Sequence, residues 1–115
     1  MESGSISDAQ ITASSEYNSH LAAANSRLHT GTAWSADIND ASQWLQIDLG
    51  VQYPTVTRVA TQGSSAYSEW VTEYKLQFSN DGVTFQYYVE QGQVTDKVRS
   101  KNTKKINNDK INRFM

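Results

Sequence analysis

Apolar and polar residues alternate with a period of two along the segment WLQIDLG at residues 44–50. This alternation is typical of a half-buried β-strand, because successive side chains of a strand point to opposite faces of the sheet. The segment TVTRVATQG at residues 55–63 is rich in β-branched residues and ends at a glycine, which also predicts a strand.

Residues 73–89 carry the pattern of a β-hairpin. Their two halves, EYKLQFS at 73–79 and VTFQYYV at 83–89, alternate in the same way. The intervening turn, Asn-Asp-Gly, contains residues that tolerate positive φ. The alternation places these apolar or aromatic residues on one face of their strands: Tyr74, Leu76, Phe78, Phe85, Tyr87 and Val89.

The segment between residues 12 and 44 is polar and rich in turn-forming residues, with isolated apolar positions. Three alanines in LAAANSRL at residues 21–28 favour a short helical turn. A loop of this length in a small domain is usually functional or disordered. Several short strands joined by long loops predict an antiparallel β-sandwich without a long helix.

The length of 115 residues fits one domain with a modest core. No apolar run approaches the roughly 20 residues that a membrane-spanning helix needs. The segment MESGSISDAQ lacks the charged and apolar regions of a signal peptide, so we expect none in this chain. The chain has no cysteine, which excludes thiolate catalysis and cysteine-ligated zinc. It also lacks the common catalytic motifs, so we do not expect an enzyme.

Charge divides the chain near residue 93. Residues 1–93 carry three basic and ten acidic residues, whereas residues 94–115 carry seven basic and two acidic ones. A basic tail can contact nucleic acid or an anionic surface. The favoured interpretation is instead a solvated, disordered Asn/Lys-rich end with too few apolar residues to pack. Nucleic-acid binding is therefore not expected.

Five motifs occur in order along the first part of the chain: ITASS at 11–15, RLHTGTAW at 27–34, QWLQIDLG at 43–50, TRVATQG at 57–63 and EWVTEYKLQFSNDGVTF at 69–85. In this order they resemble the discoidin domain, also called the coagulation factor V/VIII C-type domain. The resemblance implies a jelly-roll-like β-sandwich that is usually extracellular and binds membranes or glycans. The family pattern stops near Gln93. The interpretation is an incomplete discoidin domain at 1–93 that lacks its last strands, followed by an unrelated tail at 94–115.

The resemblance also implies three ligand-contacting loops that project from one end of the sandwich. We call them spike 1 (residues 16–21), spike 2 (residues 29–32) and spike 3 (residues 64–68). The candidate ligand-binding residues are Tyr17, Asn18, His20, Leu21, His29, Thr32, Ser65 and Tyr67. Three tryptophans are interpreted as packing residues of the core or of the loop bases: Trp34, Trp44 and Trp70.

The residues of the spikes favour a polar ligand over a lipid surface. Only Tyr17, Leu21 and Tyr67 offer large apolar groups for insertion, and the spikes contain no lysine or arginine that would attract anionic lipid. Aromatic rings stack on sugar faces, and Asn and His side chains hydrogen-bond hydroxyl groups. A cell-surface glycan or an extracellular protein is the expected partner. Two alternatives stay open: a module that binds phospholipid membranes, and a truncated fragment without function.

Asp37, Asn39 and Asp40 are candidate calcium ligands because their side chains offer oxygen atoms. Related carbohydrate-binding modules carry Asp-Gly near the place where this chain has NSR at 25–27. The calcium motif is therefore not intact, and no cofactor is expected. The two histidines match no metal-ligand spacing.

Overall fold

The structure is a computed structural model that describes residues 6–50, 60–64, 66–71, 73–88, 98–100 and 113–114. The described residues form seven short strands and three 3₁₀ helices of three residues each. The strands are β1 (Ile11–Ala13), β2 (Leu45–Ile47), β3 (Glu73–Lys75), β4 (Gln77–Phe78), β5 (Gln86–Tyr87), β6 (Val98–Ser100) and β7 (Arg113–Phe114). The 3₁₀ helices span Asp8–Gln10, Ser19–Leu21 and Ala23–Asn25.

Five of the strands form one sheet in the order β1-β2-β7-β4-β5, and β3 pairs with β6 in a second sheet. The outer pairs β1/β2 and β4/β5 are antiparallel, whereas β7 lies between β2 and β4 and runs parallel to both. The larger sheet is therefore mixed rather than purely antiparallel. Alternation within a segment predicts the faces of a strand, but the direction of a pairing depends on the long connections between strands.

Strands β6 and β7 lie within the segment that the sequence predicts to be a disordered tail. Five residues of this segment are in strands, β6 in the smaller sheet and β7 in the larger one. The segment 94–115 shows no alternating pattern around these residues, so only their pairing with distant strands reveals them. The boundary at residue 93 and the disorder of the remaining tail residues fall outside the described residues and stay predictions.

The core is formed by the buried face of β1 and β2 together with buried residues of the segments before and after β1. Ile11 is paired with Ile47 across the two strands, and both side chains are buried. Their pairing is continued by hydrogen bonds from Ser14 N to Trp44 O (3.0 Å) and from Asp48 N to Gln10 O (2.8 Å). The buried cluster consists of Ile6, Ile11, Ala23, Trp34, Ala36, Leu45 and Ile47. The strand predicted at 44–50 is confirmed as β2, with Leu49 half-buried beyond its end.

The hairpin predicted at 73–89 is confirmed, since β4 and β5 pair with Gln77 opposite Tyr87. Its predicted apolar face is wrong in part. Tyr74 and Leu76 are buried, but Phe78 is 44% exposed and Tyr87 is 47% exposed. The reason is that the chain changes sheets at Leu76: β3 pairs with β6, whereas β4 pairs with β5 and β7. Val89 lies outside the described residues.

The turn of this hairpin is organised by one carboxylate. Asp81 Oδ1 accepts hydrogen bonds from Val83 N and Thr84 N, at 2.8 Å each, and from the hydroxyl of Ser79 at 2.9 Å. Gly82 has a φ of 74°, in the left-handed region that the sequence predicted for this turn. The bonds from Thr84, Val83 and Ser79, in that order, lower the pKa of Asp81 to about 2.

Two further predictions have mixed outcomes. The helical turn expected at 21–28 is present, as the short 3₁₀ helices Ser19–Leu21 and Ala23–Asn25. Of the strand expected at 55–63, residues 55–59 lie outside the described residues, and residues 60–63 are in no strand.

Candidate functional site in the spike loops

Spike 1 is a short capped turn with an exposed aromatic ring. Asn18 Oδ1 accepts hydrogen bonds from His20 N (2.9 Å) and Leu21 N (3.1 Å), which caps the 3₁₀ helix Ser19–Leu21. The side chain of Tyr17 is 62% exposed. His20 is also exposed, whereas Leu21 is half-buried. Asn18 is thus engaged in shaping the loop, whereas the side chains of Tyr17 and His20 are exposed.

Trp34 and Ser35 hold the base of spike 1. The indole Nε1 of Trp34 donates a 2.9 Å hydrogen bond to Ser15 O, from within the core. Ser35 bonds both ends of the spike: its carbonyl accepts from Tyr17 N (2.8 Å), and its N–H donates to Leu21 O (3.1 Å). The sequence placed Trp34 beside spike 2, which it follows in the chain. The structure shows that it also braces spike 1.

Spike 2 is fastened by one hydrogen bond to a distant residue and by hydrogen bonds of its own Thr30. His29 has a φ of 58°, the left-handed region, and its N–H donates a 3.1 Å hydrogen bond to Gln62 Oε1. The hydroxyl of Thr30 lies 3.0 Å from the carbonyl oxygens of both Arg27 and Thr32. The side chains of His29 and Thr32 are exposed.

The base of spike 2 is fastened to the start of the described chain. One Arg27 guanidinium nitrogen, Nη2, lies 2.7 Å from Ile6 O and 2.7 Å from Asp8 Oδ1. The Arg27 side chain is 16% exposed, whereas that of Asp8 is 75% exposed. The arginine near the spikes is therefore committed to an internal contact.

Spike 3 is closed by its own backbone and by one serine. Ser64 N donates to Glu69 O (3.0 Å), and Tyr67 N donates to the hydroxyl of Ser64 (3.1 Å). This closure presents Tyr67 with 55% of its surface exposed. Ser65 lies outside the described residues. Trp70, just after the spike, is half-buried rather than part of the core cluster.

These contacts connect the three spikes to one another. Spike 1 is bonded to Ser35, which follows spike 2 in the chain, and spike 2 is bonded to Gln62, which precedes spike 3. The three loops are thus joined through two short segments, although 42 residues lie between spike 1 and spike 3 in the sequence. Of the three tryptophans, Trp34 is in the core, and Trp44 and Trp70 are half-buried.

Sequence reasoning missed two residues near the spikes. Gln62 was noted only as part of the motif TRVATQG, and no local pattern reveals that its amide reaches His29. Ile38 is 55% exposed, in a segment that begins where Asp37 N donates to the hydroxyl of Ser15 (3.1 Å). An isolated apolar residue in a polar loop was the only available signal for Ile38.

One of the three candidate calcium residues, Asp40, has a structural role. Asp40 Oδ1 accepts hydrogen bonds from Gln43 Nε2 (3.0 Å) and Ser42 N (2.8 Å), and these bonds lower the pKa of Asp40. Gln43 is buried, and its Oε1 accepts from the hydroxyls of Ser14 (2.7 Å) and Ser15 (2.6 Å). Within the described ranges, no three His, Cys, Asp or Glu side chains come together as metal ligands.

The described part of the chain also contains no helix with the length and apolar content to cross a membrane.

Known proteins with similar sequences carry the same domain. Lactadherin of Rattus norvegicus is 40% identical over 103 residues, which cover 80% of this chain and 24% of lactadherin. The Discoidin, CUB and LCCL domain-containing protein 2 of Rattus norvegicus is 38% identical over an alignment that covers 100% of this chain and 16% of that protein. Retinoschisin of Takifugu rubripes is 38% identical, covering 78% of this chain and 35% of retinoschisin. The chain thus spans about a third or less of the length of these relatives.

The profile of the F5/8 type C domain matches residues 10–114. The match includes β6 and β7, which lie past the boundary at residue 93 that the motifs indicated. It confirms the β-sandwich class predicted from the sequence. The chain belongs to the F5/8 type C, or discoidin, domain family.

Proposed function

We propose that this domain is an extracellular recognition module that binds a cell-surface glycan or protein through spikes 1, 2 and 3. The observation that carries the proposal is the presentation of Tyr17 and Tyr67. Both rings are more than half exposed, on loops whose backbones are fastened by hydrogen bonds at their bases. An exposed tyrosine on a fastened loop offers contact area at little further cost in conformational entropy.

The exposed side chains of the spikes suit a hydroxyl-rich ligand. Tyrosine rings pack against the apolar faces of sugars, and the phenol can exchange hydrogen bonds with hydroxyl groups. His20 and His29 are exposed beside them and can act as donors or acceptors. These residues provide stacking area together with directional polar groups, the combination that fixes the orientation of a bound sugar or polar peptide.

Charge weighs against an anionic membrane as the ligand. Spike 1 carries the acidic Glu16, and the spikes contain no lysine or arginine. The nearby Arg27, at the base of spike 2, is paired with Asp8. Attraction to acidic lipid requires cations at the contacting surface, each contributing about 1 kcal/mol. Insertion has few groups to use, because Leu21 is half-buried and only the two tyrosines are widely exposed within the described parts of the spikes. Phospholipid binding is therefore the second candidate, to be decided by experiment.

The test compares Tyr17→Ala and Tyr67→Ala with Val83→Ala. Val83 is an apolar residue outside the spikes with 82% of its surface exposed, so it controls for the loss of any exposed apolar side chain. Binding is measured on a glycan array and on vesicles of phosphatidylcholine with and without phosphatidylserine. Each tyrosine variant should bind a glycan about tenfold more weakly, while Val83→Ala binds like the parent.

Other outcomes separate the alternatives. Binding only to vesicles that contain phosphatidylserine, lost in the tyrosine variants, would support a phospholipid-binding module. Binding that is indifferent to both tyrosines would refute the role of the spikes. A purified chain whose near-ultraviolet tryptophan signal shows no cooperative unfolding would support the fragment without function.

A further inference from the structure

The contact between Gln62 and His29 joins two spikes that are distant in sequence. Gln62 Oε1 accepts a 3.1 Å hydrogen bond from His29 N, across 33 positions of the chain. The amide oxygen must face His29, because a backbone N–H is a donor and requires an acceptor. This bond ends on the backbone, so it acts on the path of spike 2 rather than on one of its side chains.

The bond falls on the residue of spike 2 that has a positive φ. Among the described residues, His29 is the only residue other than glycine with a positive φ. A left-handed conformation is unfavourable for a residue with a Cβ, and it persists where surrounding contacts determine it. Gly31 follows two residues later, and a Cβ placed there would meet no atom within 4 Å.

The same glutamine lies at the entry of spike 3. Two residues later, Ser64 closes that loop through its N–H to Glu69 O and its hydroxyl to Tyr67 N. Residues 60–63 are themselves in no strand. The Gln62 side chain therefore links the left-handed residue of spike 2 to the entrance of spike 3.

We propose that Gln62 is a positioning residue that sets the spacing of spike 2 relative to spike 3. It holds His29 in its left-handed conformation and transmits displacements between the two loops. Its importance for ligand binding rests on the proposed function of the spikes. The hydrogen bond from His29 to Gln62, which we call the brace, is a property of the free domain. Gln62→Met keeps the length of the side chain and removes the acceptor, whereas Gln62→Glu keeps an acceptor oxygen.

The experiment follows backbone amides by NMR in the free protein, without a ligand. In Gln62→Met, exchange of the His29 amide with solvent should accelerate by about two- to tenfold, the range expected for loss of one hydrogen bond. Gln62→Glu should restore slow exchange. Gln86→Met, which removes an exposed glutamine on β5, should leave the His29 amide unchanged.

A second measurement tests the transmission between loops. His29→Gly relaxes the left-handed residue and should shift the amide resonances of residues 66–69 in the parent, but not in the Gln62→Met background. Unchanged His29 exchange in Gln62→Met overturns the proposal, as does equal acceleration in the Met and Glu variants. Shifts at residues 66–69 that persist without Gln62 overturn it as well. Because these readouts need no ligand, a silent Tyr17 or Tyr67 variant in the binding assay refutes the proposed function and leaves the brace standing.

Discussion

Replacing Trp34 by alanine is expected to lower the free energy of unfolding by about 3–5 kcal/mol. Trp34 is the largest fully buried side chain among the described residues, at 2% exposure. Two members of the same cluster, Ala23 and Ala36, have no flexible side chain to fill the space that the ring would leave. Because the cavity left by the ring can close only in part, we expect the decrease in the free energy of unfolding to lie in the upper part of this range. This is a large share of the roughly 5–15 kcal/mol that stabilises a typical domain.

The indole N–H adds a second effect that a smaller substitution isolates. Trp34→Phe keeps most of the apolar volume but removes the donor to Ser15 O. A partly buried carbonyl without its partner costs about 1–3 kcal/mol. The N–H of Tyr17 donates to Ser35 O. Because Ser15 directly precedes spike 1, we also expect faster exchange of the Tyr17 amide in this variant.

The measurement is guanidinium denaturation followed by far-ultraviolet circular dichroism, which does not depend on the tryptophan that is replaced. Trp44→Ala is the matched control. Trp44 directly precedes β2, but its side chain is only half-buried, so its loss should cost about 1–2 kcal/mol, less than half as much. A Trp44 variant that is as destabilised as the Trp34 variant would refute the reasoning from burial.

Three further predictions concern polar groups. Asp81→Ala should be less stable than the parent at neutral pH, and the difference in melting temperature should shrink as the pH falls below about 4 toward 2. The sign follows because hydrogen bonds lower the folded-state pKa of Asp81 to about 2, so its contribution is present above the unfolded pKa and lost on protonation; a pH-independent difference would contradict it. Gln43→Ala should cost about 1–3 kcal/mol in denaturant unfolding, because the buried amide joins Ser14, Ser15 and Asp40. Arg27→Met should destabilise the domain more than Asp8→Asn does, because Arg27 also bonds the backbone at Ile6, and an exposed carboxylate partner contributes only about 0–1 kcal/mol; equal losses in thermal melts would assign the effect to the ion pair alone.

The sequence by itself determined the features that depend on neighbouring residues. Strict alternation in WLQIDLG was enough to predict β2, because one face of that strand meets the core along its whole length. The turn at Asn-Asp-Gly was readable because Gly82 needs a positive φ and Asp81 can bond the backbone that follows it. The order of five motifs was sufficient to identify the family. Each of these signals is local, or is a series of local signals.

Only the tertiary structure decided which distant segments meet. Alternation could not show that β7 enters between β2 and β4, because a two-residue strand has no periodicity and is defined by its partners. It also could not show that Phe78 would face solvent, since the chain passes from one sheet to the other at Leu76. The bonds of Trp34 to Ser15 and of Gln62 to His29 join residues 19 and 33 positions apart. Such contacts form when folding has already brought the loops together, so no pattern along the chain records them.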